Sequence, residues 1–279
     1  MSGPSDFLAS MAASSRARVE AARARLPSEE LSARVAELPP APPLRLDGRF
    51  DLIAELKLRS PAMGVLSSSA GDLEARVASY AAAGAATVSV LTEPDRFDGC
   101  LAHLERASAR LAPLGVPTMR KDFLVDPYQL LEARLAGAGG ALLIVRMLDA
   151  ETLHRMAIQA AELGLFLLLE TFDVAEVAVA QRIAEAWTGR EGDCLIGVNS
   201  RDLTTLHVVP ERLFELADRL PTAFPRVAES GLVDEADAGR LAAAGYTMAL
   251  VGSALMASAD PVALGRKMIE RGRAESRAR

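Results

Sequence analysis

From residue 51 onward, short apolar runs alternate with longer stretches of helical periodicity. The runs are Asp51–Leu56, Thr87–Leu91, Pro117–Lys121, Ala141–Val145, Leu165–Glu170, Cys194–Asn199, Pro225–Glu229 and Met248–Gly252. Between them lie helical patterns at Leu73–Ala83, Tyr128–Ala136, Ala150–Leu163, Val174–Trp187, Pro210–Leu220 and Glu235–Ala244. Apolar runs this short, bounded by turn residues, read as strands; the longer periodic segments read as helices. Several helical stretches end in glycine just ahead of the next run, at Gly84, Gly137, Gly164 and Gly245. Glycine there supplies the left-handed C-cap that a short helix-to-strand turn requires. Strands apolar on both faces, alternating strictly with helices, predict a closed parallel barrel, the (β/α)8 TIM barrel of the α/β class. The rival is an open doubly wound sheet, which usually carries a GxGxxG after an early strand; none occurs here.

Ahead of the alternation, the first segment to about Arg45 reads as a helix followed by Leu38-Pro-Pro-Ala-Pro-Pro-Leu44. A helix does not continue through such a run, which acts as a stiff connector. The expected division is an N-terminal helical extension and connector over residues 1–48, the barrel over 49–272 and a tail over 273–279. The mixed-charge stretch from Arg266 reads as a fraying, solvated helix.

Polar residues recur at one place in each unit, the end of the strand or just beyond it. The first strand ends Ala54-Glu55-Leu56-Lys57, which sends Glu55 and Lys57 to the same side because side chains alternate. The third ends Arg120-Lys121-Asp122-Phe123, the fifth in Glu170, the sixth in Asn199 with Arg201 beyond, and the seventh in Glu229-Ser230-Gly231. The eighth ends Val251-Gly252-Ser253. In barrels the reactive residues sit at this face, drawn from several strands. Ser230-Gly231 and Gly252-Ser253 are small enough for backbone N–H groups to approach an anion, and loops after the last two strands are a common phosphate site. Each alone would be an ordinary strand-to-helix turn; the pair on adjacent strands favours phosphate. Lysines at strand ends are usually solvated, but Lys57 and Lys121 converging with Glu55, Glu170 and Glu229 would cost too much desolvation to be idle. Such a cluster is expected to hold a lysine near neutral pKa and a carboxyl partly protonated, as acid–base work requires.

Composition narrows the field. The chain has 279 residues, half of them hydrophobic, and a net charge of −6. That suits one barrel of the usual ~250 residues plus an extension. Mild acidity without a basic, aromatic-rich patch argues against nucleic-acid binding. No apolar run is long enough to span a membrane, and the N-terminus reads as an amphipathic helix rather than a secretory signal. Cys100 and Cys194 are far apart and lack CxxC spacing, which fits a reducing compartment, the cytoplasm. His103, His154 and His207 fall in helices or a late loop and share no ligand spacing, so no metal is expected. Trp187 closes a helix, and Cys194 opens a strand at the opposite, stability face.

Six segments together resemble the indole-3-glycerol-phosphate synthase family, over about residues 5 to 270. They are Ile53-Ala-Glu-Leu-Lys-Leu-Arg-Ser-Pro61, Val88-Ser-Val-Leu-Thr-Glu-Pro-Asp-Arg-Phe-Asp-Gly99, Arg120-Lys-Asp-Phe-Leu-Val-Asp-Pro-Tyr-Gln129, Ile196-Gly-Val-Asn-Ser-Arg-Asp-Leu203, Val227-Ala-Glu-Ser-Gly231 and Leu250-Val-Gly-Ser-Ala-Leu-Met256. The resemblance implies closure of the indole ring of 1-(o-carboxyphenylamino)-1-deoxyribulose 5-phosphate with loss of CO2 and water, in tryptophan biosynthesis and without a cofactor. It implies that the extension packs over the barrel mouth. By similarity Lys121 is the general acid at the carbonyl oxygen. Lys57 grips the substrate carboxylate and can serve as acid in dehydration; Glu55 and Glu170 give base and electrostatic help. Asn199, Arg201 and Glu229 orient the hydroxyls and the anthranilate ring. Ser60, Ser230, Gly231, Gly252 and Ser253 match phosphate-binding positions, and Phe97, Phe123, Leu142, Leu203 and Leu250 match positions holding the aromatic ring. The implied partner is a small phosphorylated molecule, with no nucleic acid or membrane, and a monomer is expected ahead of an oligomer.

Departures lie beside these positions: Ala62 and Cys100 where serine is usual, Thr171-Phe172 after Glu170, and a segment Ile183–Asp193 that is long for the family. Two rivals remain. Phosphoribosylanthranilate isomerase chemistry uses a carboxylate and a thiol, and the first strand offers no cysteine. A catalytically silent, ligand-binding barrel would have no use for four buried charges at Glu55, Lys57, Lys121 and Glu170.

Overall fold

The computed structural model describes residues 6–47, 49–60, 64–65, 73–203, 205 and 207–276. Eight parallel strands close into a barrel: β1 Asp51–Leu56, β2 Thr87–Leu91, β3 Thr118–Lys121, β4 Gly140–Ile144, β5 Phe166–Thr171, β6 Cys194–Asn199, β7 Arg226–Glu229 and β8 Met248–Val251. Neighbours in sequence are neighbours in the ring, and β8 seals against β1 with Asp51 opposite Met248 and Ala54 opposite Val251. The helices are α1 Asp6–Arg25, α2 Ser28–Ala36, α3 Leu73–Ala83, α4 Pro94–Phe97, α5 Leu101–Leu111, α6 Tyr128–Leu135, α7 Ala150–Glu162, α8 Val174–Glu185, α9 Glu211–Ala217, α10 Glu235–Ala244, α11 Ser253–Ala257 and α12 Pro261–Ser276. A short antiparallel hairpin, Arg59–Ser60 against Gly64–Val65, follows β1.

Strand alternation divides the core in two. Leu52, Ala54, Val88, Ala141, Leu143, Leu167 and Leu169 point outward and pack under the helices. Ile53, Met119, Leu142, Phe166, Leu168, Leu195, Val227, Met248 and Leu250 point inward and fill the barrel. The interior is therefore packed from the bottom up, and only its upper rim is open to chemistry.

Helices start where their caps dictate. The side chains of Asp149, Asp173 and Asp234 accept first-turn N–H groups of α7, α8 and α10. The extension, expected as one helix, is two. Pro27 cannot continue α1, and α2 restarts at Ser28 with Glu29 and Glu30 in its first turn. Met11, Ser15, Val19 and Ala22 form the buried face of α1. Phe7, Leu8 and Met11 join the interior cluster beside Phe123 and Leu142, so α1 lies over the mouth.

From Arg266 to Ser276 the helix does not fray, and the last three residues of the expected tail lie outside the described residues. Met268 is fully buried, Gly272 packs on the Phe50 ring, and Arg273 donates to the Phe50 carbonyl and to Asp51 at 2.9 Å. The charges that made this stretch look solvated are the outer face of α12; its Gly and Met positions dock beneath β1 and against α10. Cys194 is buried at the start of β6, and burial pushes its thiol up to about 12. His154 and His207 are exposed and His103 half-buried, all away from the strand ends. Trp187 lies just past α8, with its indole N–H donating to the Arg190 carbonyl.

Candidate active site

Four of the charged candidates sit two residues beyond an inward-facing core residue of their own strand. Ile53 is followed by Glu55 and then Lys57, Met119 by Lys121, Leu168 by Glu170, and Val227 by Glu229. The same alternation that fills the barrel thus carries these side chains to its rim. There they line a cavity of about 390 Å3. Phe97, Phe123, Leu142, Leu203 and Leu250 form apolar wall, Asn199 and Arg201 polar wall, and Ser230, Gly231, Gly252 and Ser253 one end. Every expected site residue except Ser60 lines this one cavity; the Ser60 side chain, like Pro61 and Ala62, lies outside the described residues.

Two ion pairs organise the charge. Lys57 Nζ is 2.8 Å from Glu55 Oε1. Lys121 Nζ is 3.1 Å from Glu170 Oε2 and 3.8 Å from Glu229 Oε2. Burial works to lower the Lys121 pKa, but Glu170, Glu229 and Glu55 outweigh it and hold the ammonium above the usual lysine range. The expectation of a near-neutral lysine is therefore reversed, because three carboxylates surround one cation. The carboxyl half of that expectation falls on Glu229. Burial, and then Glu170 beside it, raise its pKa well above the carboxylate range. Neither Glu229 oxygen receives a hydrogen-bond donor from the protein, and the nearest cation is Lys121 at 3.8 Å. Glu55 goes the other way: burial would raise its pKa, but Lys57 and Lys121 bring it down. One rim thus sets an ionised carboxylate and a charged ammonium beside a carboxyl whose hold on a proton is strengthened.

Several contributors were not singled out from sequence. Leu91, Ile144, Val208 and Leu232 also line the cavity. Asp122 lines it too, buried beside Lys121 and accepting from Thr92 at 2.8 Å and from Arg18 of α1 at 2.6 Å. Gly197 stands beside Glu170 in the β5–β6 register, and a Cβ there would overlap Glu229 Oε1. A glycine inside a buried strand is a legible sign of such close approach. Likewise a Cβ at Gly252 would run into the Glu55 carboxylate. Ser230 and Gly231 both adopt left-handed backbone, at φ 68° and 82°, which turns the chain sharply out of β7. Of the departures, Cys100 opens α5 without a side-chain cap, and Phe172 lies under the Arg146 guanidinium at 4.2 Å.

A family model described as indole-3-glycerol phosphate synthase matches residues 8–268. The chain belongs to the indole-3-glycerol phosphate synthase family. Among curated proteins of that name, the chain is 42% identical over 229 residues to one from Nocardioides sp., covering 82% of this chain and 83% of that protein. It is 39% identical over 264 residues to one from Leifsonia xyli, covering 93% and 96%. The protein of this name from Rhodococcus opacus is 39% identical over 249 residues, covering 88% of each. Solved structures add the fold alone. A 3-hexulose-6-phosphate synthase from Salmonella typhimurium superposes with TM-score 0.57 at 14% identity, over 81% of this chain and 99% of that one. A thiamine phosphate pyrophosphorylase from Pyrococcus furiosus gives TM-score 0.54 at 15% identity, over 81% and 96%.

Proposed function

We propose that the chain closes the indole ring of 1-(o-carboxyphenylamino)-1-deoxyribulose 5-phosphate, a carbon–carbon lyase step of tryptophan biosynthesis. The observation that carries the reading is Lys121 Nζ placed between Glu170 and Glu229, in the same apolar-walled cavity as the Lys57–Glu55 pair.

The substrate's phosphate sits at the Ser230-Gly231 and Gly252-Ser253 end, where small residues admit it to backbone N–H groups. Its anthranilate ring lies among Phe97, Phe123, Leu142 and Leu250, and its carboxylate meets Lys57. The ring carbon bearing the carboxylate bonds to the sugar carbonyl carbon, and Lys121 gives its proton to the carbonyl oxygen as charge develops there. Loss of CO2 restores the aromatic ring. The new hydroxyl then leaves as water with a proton from Lys57 or Lys121, while a carboxylate, Glu55 or Glu170, takes the proton from the neighbouring carbon. Asn199, whose Oδ1 accepts from the Arg201 N–H at 2.8 Å, holds the sugar hydroxyls with Arg201. Thiol-based isomerase chemistry is disfavoured, since neither Cys100 nor Cys194 lines the cavity.

The test is direct. Purified protein given the carboxyphenylamino-deoxyribulose phosphate should develop indole fluorescence and release CO2 in equal amount; silence at high enzyme concentration would sink the reading. Among the described residues no helix is long and apolar enough to cross a membrane, which accords with a cytoplasmic enzyme.

A further inference from the structure

A second cavity, of about 580 Å3, lies outside the barrel and shares no residue with the first. It forms where the end of α2 and the proline-rich connector cross α6 and α7. Val35, Leu38, Pro39, Pro40, Leu131 and Leu163 make its walls apolar.

Into this chamber the protein places Arg134, only 5% exposed. One of its N–H groups donates to the Pro39 carbonyl at 2.7 Å. Among the described residues it has no carboxylate partner, unlike the equally buried Arg120, which is 3.4 Å from Asp122 and 2.9 Å from Glu132. Burial lowers the Arg134 pKa with no neighbouring carboxylate to raise it back. A buried cation left without an anion is among the more costly arrangements a fold can hold. The same wall carries a second unmet group: Gln159 Oε1 is buried and receives no donor. Glu162, one helical turn further along α7, stands exposed at the rim. The chamber therefore wants an anion at one point and a donor, preferably cationic, at another, with an apolar body between its walls.

We propose that this cavity binds a free α-amino acid with an apolar side chain, its carboxylate on Arg134 and its ammonium on Gln159 and Glu162. A bound amino acid would touch the extension and the barrel wall together. It would stabilise the folded chain by mass action.

Norleucine, hexanoate and hexylamine separate the requirements. In calorimetric titration of the full chain, norleucine should bind at least about tenfold more tightly than either single-charge analogue, the worth of one charge-assisted hydrogen bond. It should raise the melting temperature as well. Arg134→Met should weaken norleucine by at least about tenfold while leaving indole-forming kcat/KM within about twofold. Ala36→Trp fills the chamber from an exposed helix position, so it should block binding even if Arg134→Met fails to fold. Failure of norleucine to bind at about 10 mM, binding unchanged in Ala36→Trp, or hexanoate binding as well as norleucine would each overturn the assignment.

Discussion

At the scale of single residues, the site is a problem in keeping buried charge balanced. Lys121 is the only cation facing Glu170 and Glu229 at ion-pair distance among the described residues. Lys121→Ala should lower kcat by at least about a hundredfold, as loss of a general acid does, with the substrate dissociation constant changed by only a few-fold. Single-turnover kinetics with separate equilibrium binding would show it; loss of binding alone would reduce Lys121 to a positioning role. Glu229 yields a prediction in pH. Between the ordinary carboxylate pKa of about 4.3 and its own raised value, the folded chain keeps a proton that the unfolded chain releases. The folded state then binds more protons, so stability falls as pH rises through that window. Glu229→Gln cannot ionise, and its stability relative to the parent should climb steadily over the same window in urea titrations. A difference independent of pH would mean that Glu229 is not held protonated.

At the scale of elements, α1 reaches into the chemistry from outside the barrel. Arg18 bonds Asp122, which lies next to Lys121, and sits 3.6 Å from Glu93, whose carboxylate caps α4 and so places Phe97. Arg18→Met should cost about 1–3 kcal/mol of stability, the worth of a charge-assisted hydrogen bond, and should lower kcat more than it raises KM. Thermal melts and steady-state kinetics at one temperature would check both. Sequence made the barrel legible because the strand run repeats eight times and four of the helical stretches stop at glycine: β1, β2 and β6 begin and end where the apolar runs do. The rim was legible for the same reason, since Glu55, Lys121, Glu170 and Glu229 stand in phase with inward core positions. What stayed hidden depends on contacts between distant segments. Nothing local marks Arg18 as the partner of Asp122, and although Pro27 is a local break, nothing local shows that the helices on both sides of it pack. The direction of the Lys121 shift was hidden too, because it is the sum of three carboxylates from β1, β5 and β7 against burial. The docking of α12 was masked by a charged composition that describes only its outer face.

At the scale of the whole molecule, α12 packs on the outer face of the first strand, between α3 and α10. Met268→Ala should cost about 2–5 kcal/mol, as large-to-small core changes do, and lower the urea midpoint without changing the rate per folded molecule. A matching loss of kcat in fully folded protein would mean that the outer helix layer is coupled to the rim. The closure of the ring has a consequence for how the enzyme comes into being. β1 can complete its pairing only with β8, the last strand of the barrel. On the ribosome, Lys121 therefore emerges ahead of Glu170 and Glu229, two of the carboxylates beside it, and the ring cannot close until β8 has followed them. The Glu55–Lys57 pair belongs to the end of the first strand alone, whereas the complete set of rim charges meets only in the sealed ring.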